Sequence, residues 1–169
     1  MPLLTHNPEP AGSRSKRTVT VRFCSRCGGP DDPLTGRPEL RRRVCERCGM
    51  GVMLTAAGDA LPGAGAAFMV VTAELAVSAV SRSGDKVFGE EGELTGSHLL
   101  ALVTSPLGDD QLEHLVRRAA QSRADTVALP VRLVPDDAPP VGTLSARIAS
   151  CGPPHAALLA VEPSGFGIR

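Results

Sequence analysis

The residues best suited to chemistry in this chain are four cysteines that form two Cys-x-x-Cys pairs, seventeen residues apart: Cys24 with Cys27, and Cys45 with Cys48. Two residues between paired cysteines let both thiolates of a tight turn point at one centre, and two such turns supply the four sulfurs of a tetrahedral zinc site. A glycine follows each pair, and glycine can take the positive φ that a chain reversing around a metal often requires. We expect structural zinc, because four thiolates leave no open coordination position for catalysis.

Three other interpretations of the cysteines fit less well. Disulfides require an oxidising compartment, and nothing in the chain indicates secretion. A dithiol redox pair is usually a single Cys-x-x-Cys that opens a helix in a βαβ unit, and no such pattern is present. An iron site of the rubredoxin type uses similar paired turns, but the aromatic residues that pack around it are missing.

The length allows two domain organisations. The 169 residues could form one medium domain, or one small module and a domain of about 100 residues, and we favour the second. Hydrophobic residues make up 42% of the chain but aromatic residues only 2%, with no Trp and no Tyr. We therefore expect a core of Val, Leu and Ala, and no aromatic platform on which single-stranded nucleic acid could stack.

Charge is distributed unevenly although the net charge is zero. Residues 1–56 carry ten Lys or Arg against five Asp or Glu, whereas residues 57–169 carry eight against thirteen. Residues 1–17 read as a flexible tail without an apolar run of signal-peptide length. The most apolar stretch, residues 64–80, contains Glu74 and is too short to span a bilayer. We expect a cytoplasmic protein that does not associate with membranes.

Residues 18–56 are predicted to form a zinc ribbon, in which minimal strands surround a metal that replaces the hydrophobic core. Several arginines could give this ribbon a basic patch for nucleic acid: Arg41, Arg42 and Arg43, with Arg26 and Arg47 on the cysteine turns. The alternative is that these charges only keep a module without a core soluble.

Residues 57–65 have the composition of a linker, and a second domain is predicted over residues 66–163, followed by a short tail over 164–169. Its elements are two strands, then helices, then three strands. The helices are expected over residues 93–103 and 109–122, and the last strands over 126–134, 142–151 and 156–162. This order predicts an α+β domain with a single antiparallel sheet and short helices on one side.

The segment FMVVTAELAVSAVSRSGDKVFGEEGELTGSHLLALV, residues 68–103, resembles the first half of a PAS domain. The likeness is carried by two strands around an acidic turn over 68–80, by the piece that ends in Phe88-Gly89, and by Glu93-Leu94-Thr95-Gly96 before the next helix. The last three strands follow where the family has them, so the resemblance covers roughly residues 66–163. It implies a sensory or interaction module that binds a small molecule between sheet and helices or dimerises through its sheet.

The resemblance carries no cofactor over residue by residue, so the ligand of the PAS-like domain stays unknown. The flavin-binding members use a cysteine in an Asn-Cys-Arg-like helix motif, which this chain lacks in the corresponding region. Haem-binding members use a histidine, and His98 and His114 lie on the expected helices, where solvated histidines are commoner. Cys151 is interpreted as a small buried hydrophobe rather than a redox thiol.

No catalytic constellation is visible, so we expect a protein that is not an enzyme. The chain has no nucleophile elbow and no phosphate-cradling loop, and the acidic run Glu90, Glu91 and Glu93 suits a solvated helix start. We expect a non-catalytic regulatory or signalling protein that acts through a protein partner or a homodimer. The alternative is a transcription-related protein whose basic ribbon binds nucleic acid, and a third hypothesis is a redox switch that loses zinc on oxidation.

Overall fold

The computed structural model describes residues 19–30, 43–61, 63, 65–121, 124–134 and 144–163, so both predicted tails lie outside the described residues. Within these ranges the chain forms a mostly antiparallel, curled sheet with few helices. The strands are β1 (Thr20–Cys24), β2 (Met53–Ala57), β3 (Ala67–Val71), β4 (Val77–Val80), β5 (Val103–Thr104), β6 (Val127–Leu133), β7 (Leu144–Gly152) and β8 (Ala156–Pro163). The helices are α1 (Asp85–Phe88), α2 (Glu91–Leu94), a 3-10 turn at Leu99–Ala101, and α3 (Asp109–Gln121).

The strands are arranged in the order β1-β2-β7-β8-β3-β4, with β6 beside β7 and β5 beside β6. The long strand β7 joins two parts of the chain, because its first half pairs with β6 and its last two residues pair with β2. The second contact aligns Thr55 with Gly152 and Ala56 with Cys151. The hairpin β1–β2, which carries the cysteine pairs, is therefore continuous with the sheet of the C-terminal strands.

The main core lies between one face of the sheet and α3. Leu112, Val116 and Ala119 line one side of α3 at helical spacing and are buried against the sheet. The helix predicted over residues 109–122 from this spacing is confirmed up to Gln121. Strand β8 lies between β7 and β3 with both faces covered, and this explains its run of six consecutive buried residues.

A second core lies on the other face of the sheet, where the sheet curls over itself. Phe23 from β1 packs against Phe68 from β3, with ring centroids 5.6 Å apart in an edge-to-face arrangement. These strands are four places apart in the sheet order, so the contact requires a tight curl. The remaining wall of this core is rich in small residues: Ala56, Ala60, Ala149, Ala156 and Ala160. Side chains of this size leave room for the two rings.

The boundary between the two predicted domains is not marked by a break in the fold. Strand β2 extends to Ala57, and Ala60, within the predicted linker, is fully buried in the second core. Pro62 and Ala64 lie outside the described residues. The division of the chain at residues 57–65 stays a prediction. Residues from both sides of this stretch pack together in the second core.

The continuous helix expected over residues 93–103 is wrong. Gly96 has a φ of 87°, which ends the helical conformation after α2. Backbone groups beyond it pair with β4 instead: Gly96 N–H donates to Val77 O (2.8 Å) and Val77 N–H donates to Ser97 O (2.9 Å). This segment thus covers an otherwise open strand edge. Leu99 within it is buried in the main core, and Leu100 and Leu102 pack against that core.

We predict that Phe23→Ala lowers the free energy of unfolding by about 3–5 kcal/mol. The substitution removes a ring that is only 1% exposed and leaves a cavity where the β1–β2 hairpin packs against β3. Urea denaturation followed by circular dichroism measures the change. Val19→Ala, at a side chain that is 74% exposed just before β1, is the control and should lie within about 0.5 kcal/mol of the wild type. Equal midpoints for the two variants would contradict the packing.

Candidate metal centre

The four cysteines of the predicted metal site lie together at the end of the β1–β2 hairpin. Their Sγ atoms all lie within 4.8 Å of one another, Cys24 with Cys48 at 3.6 Å and Cys27 with Cys45 at 3.9 Å. Cys24 and Cys45 are buried, Cys27 and Cys48 are half-buried, and all four are free thiols. The arrangement offers a metal ion one sulfur from each cysteine, as the spacing predicts.

The two cysteine turns are built alike. In the first turn Gly28 N–H donates to Cys24 O (3.0 Å), and in the second Gly49 N–H donates to Cys45 O (2.8 Å). Gly28 has a φ of 68° and Gly49 a φ of 69°, so the positive φ expected at both glycines is confirmed. A side chain with a Cβ would strain the backbone at either position.

Backbone N–H groups surround two of the sulfurs. Cys24 Sγ accepts from Arg26 N (3.3 Å) and Cys27 N (3.4 Å). Burial nonetheless raises the pKa of the Cys24 thiol to about 12, whereas hydrogen bonds from the Met50 and Gly51 N–H groups lower the pKa of Cys48 to about 6. The environment of this close pair therefore favours the ionised form of Cys48 over that of Cys24.

Gly51 is a site residue that the sequence did not reveal. A Cβ at this position would lie 2.2 Å from Cys24 Sγ and 2.8 Å from Arg26 N, so only glycine lets the second strand pass this close to the sulfur. The adjoining Val52 makes two hydrogen bonds to Ser25 in the first turn. Its N–H donates to Ser25 Oγ (3.0 Å), and its carbonyl accepts from Ser25 N (2.8 Å). The sequence signal was slight, a second glycine two residues after Gly49.

Arg26 lies between the two cysteines of the first turn, but its side chain contacts the first residue of α1, which follows β4. Its guanidinium donates two hydrogen bonds to the Asp85 carboxylate, NH1 to Oδ1 at 2.8 Å and NH2 to Oδ2 at 2.6 Å. This bidentate pair holds the pKa of Asp85 below its usual value. The sequence did not predict this ion pair. Arg26 and Arg47 hold the same position in their two turns, yet Arg47 is exposed, so the local sequence does not distinguish them.

The predicted basic patch is thus divided by the fold. Arg26 is committed to Asp85, with a side chain only 16% exposed. Arg43 and Arg47 are exposed beside the second turn, and Arg41 and Arg42 lie outside the described residues. The described part of the patch therefore offers two arginines to a partner.

The other residues singled out in the sequence lie away from the cysteines. His98 is exposed and its Nδ1 accepts from Leu100 N (3.3 Å), and His114 is exposed on α3, so neither histidine faces the core as a haem ligand would. Cys151 is 4% exposed in the second core, and burial raises its pKa to about 12. Such a thiol stays protonated, which supports its interpretation as a packing residue.

Comparison of the chain with family models, with curated proteins and with solved structures found no match in any of the three. Among the described residues, no helix combines the length and the apolar character needed to cross a membrane. Interpretation of the site therefore depends on the chain's own geometry, and the cysteine group is the one cluster of metal-ligand side chains found in the described ranges.

We predict that Gly51→Ala weakens metal binding at least tenfold, because the added methyl group overlaps Cys24 Sγ. Competition with a chromophoric chelator measures the affinity. Gly49→Ala is the matched control in the same turn: it strains a positive φ but meets no atom within 4 Å, so a smaller loss is expected. A Gly51→Ala variant that binds metal as tightly as Gly49→Ala would contradict the role of this close approach.

Proposed function

We propose that the four cysteines hold a zinc ion whose role is structural. The chemistry of the donor set supports this: two buried and two half-buried thiols converge within 4.8 Å, with N–H groups directed at Cys24 and Cys48. Four thiolates satisfy the tetrahedral preference of zinc and leave no place for a substrate or water. Zinc in this position would fix two turns that have little apolar packing of their own.

The purified chain should contain one zinc per molecule, and the cobalt-substituted chain should show thiolate-to-cobalt charge transfer and tetrahedral d–d absorption. Cys27→Ala should lose the metal, because a fourth sulfur is then missing. Cys151→Ala should keep it, because this fifth cysteine lies in the second core. Elemental analysis distinguishes the outcomes, and a chain that holds iron, or no metal in either variant or wild type, would overturn the assignment.

We propose further that the chain is a non-catalytic regulatory protein, in which a zinc ribbon is coupled to a PAS-like interaction domain. The succession of elements over residues 67–163 supports the PAS-like part: two strands, short helices, the two-residue strand β5, a longer helix, and three strands that join the first two in one antiparallel sheet. Apart from β5, this is the succession that the resemblance over roughly residues 66–163 implies. Core-lining residues of the helices lie on one face of the sheet.

The observation that carries the proposal is the continuity between ribbon and sheet. Strand β2 pairs with β7, and Phe23 packs edge-to-face on Phe68. A ribbon that served only as a tethered tag would need no such contacts. Because the two parts share a strand ladder and a core, a change at the ribbon alters the packing of the sheet, as regulation through this domain requires.

The core favours a protein partner over a polar small-molecule ligand. Among the described residues the buried polar side chains are Ser25, Ser81 and Ser105, and each is already hydrogen-bonded to backbone. The apolar core between the sheet and α3 therefore has no spare buried side chain to orient a polar ligand. Of the two uses that the PAS resemblance implies, we favour dimerisation or partner binding.

The zinc-loaded chain should be a homodimer in light scattering at micromolar concentration, and native mass spectrometry should show two chains and two zinc ions with no further mass. A monomer that carries a stoichiometric organic molecule would instead favour ligand sensing. A monomer with neither ligand nor a second chain, up to millimolar concentration, would overturn the interaction proposal.

A second candidate, nucleic-acid binding, is supported by the exposure of Arg43 and Arg47 beside the second turn. Phosphate contacts make affinity fall steeply with salt. In fluorescence-polarisation titrations with labelled duplex DNA and single-stranded RNA, the double variant Arg43→Ala, Arg47→Ala should reduce the slope of log K against log salt by about 2. Binding that is absent, or insensitive to salt and to these substitutions, would exclude this candidate.

A further inference from the structure

Arg26 connects the first cysteine turn to the end of β4 and the helices that follow it. Beyond its bidentate pair with Asp85, its NH1 donates to Val80 O (3.0 Å) and its Nε lies 3.5 Å from Glu91 Oε2. Its own carbonyl accepts from Arg82 N (2.6 Å). Both the side chain and the backbone of this one residue thus hold the segment from Val80 to Glu91.

The two helices on the other side of these contacts are only partly packed against the core. Helices α1 and α2 are four residues long, and neither contains a buried residue. Polar contacts connect them instead: Glu91 N donates to Asp85 Oδ1 (3.3 Å), and Val80 N donates to Glu91 Oε1 (3.1 Å). Helices this short are unstable alone, and only the partly buried Val87, Phe88 and Leu94 pack against the main core. The charge network centred on Arg26 therefore contributes to their order.

The position of Arg26 depends in turn on the cysteine turn. Its N–H, like that of Cys27, is directed at Cys24 Sγ. Without a metal ion, the four sulfurs are held near one another only by weak hydrogen bonds, such as Cys24 Sγ with Cys48 Sγ at 3.6 Å and Cys27 Sγ with Cys45 Sγ at 3.9 Å. A bound ion fixes both turns, and with them the direction in which Arg26 points.

We propose that metal occupancy of the four cysteines controls the order of residues 80–94 through Arg26. This inference rests on the proposed metal site and names the part of the PAS-like domain that responds. With metal bound, the guanidinium pairs with Asp85 and Glu91 and holds α1 and α2 against the end of β4. Without metal the turn relaxes, Arg26 withdraws, and the two carboxylates lose their shared cation. Residues 80–94 are then the part of the domain whose order depends on the bound metal.

Hydrogen exchange read by mass spectrometry on the full chain tests this device. In the wild type, removal of zinc by a chelator should speed exchange over residues 80–94 by roughly tenfold or more, whereas α3 and β8, buried in the main core, should change much less. Zinc content is measured on the same samples, so failure of the metal site itself is distinguished from failure of the proposed link.

The decisive variant is Arg26→Ala in the zinc-loaded state, where all four cysteines are kept. It should retain one zinc per chain and yet exchange over residues 80–94 as fast as the metal-free wild type. Arg47→Ala is the matched control, because Arg47 holds the same place in the second Cys-x-Arg-Cys turn but is exposed. It should exchange as the zinc-loaded wild type does.

Two outcomes would overturn the proposal. The first is unchanged protection of residues 80–94 in zinc-loaded Arg26→Ala. The second is an equal rise in exchange over all elements when zinc is removed, since the metal would then support the whole fold rather than this segment. If Arg26→Ala lowers zinc content, Asp85→Asn in the zinc-loaded state replaces it, and normal protection of residues 80–94 there would overturn the proposal equally.

Discussion

The close approach of four cysteine sulfurs is the constraint on which the N-terminal part of the structure depends. Four sulfurs within 4.8 Å of one another form a cluster that could hold a metal ion, and a bound cation would stabilise it. The backbone is shaped to this end. Gly28 and Gly49 reverse the chain at positive φ, and Gly51 lets a strand pass against Cys24 Sγ where any Cβ would collide.

The cysteine turns are joined to the rest of the chain by two kinds of contact, one apolar and one charged. The ring of Phe23 lies on Phe68 within an alanine-rich wall that permits the sheet to curl, which gives the hairpin a core it could not form alone. Arg26 extends from the first turn to Asp85, beyond the last strand of the sheet order. A local change at the cysteines therefore has a direct physical route to α1 and α2.

Features determined by local chemistry were predictable from the sequence, and features determined by distant partners were not. The cysteine cluster, the positive φ of both glycines and the extent of α3 follow from spacing and periodicity. Arg26 and Arg47 have nearly identical local sequences, and only the tertiary position of Asp85 distinguishes them. The leucines over residues 93–103 suggested a helix, since apolar residues that cover a strand edge can have the same spacing. The linker composition of residues 57–65 gave no indication that Ala60 is buried.

If the metal site and the β4–α2 segment are coupled as described, the coupling must be reciprocal: whatever metal does for the segment, the segment does for metal affinity. The most direct measurement is therefore the zinc dissociation constant of Asp85→Asn, a change made 58 positions after Cys27 and at none of the cysteines. The account predicts an affinity loss of about tenfold relative to the wild type and to Asp109→Asn, a control at the exposed start of α3. Zinc affinity equal to that of the wild type would contradict the coupling.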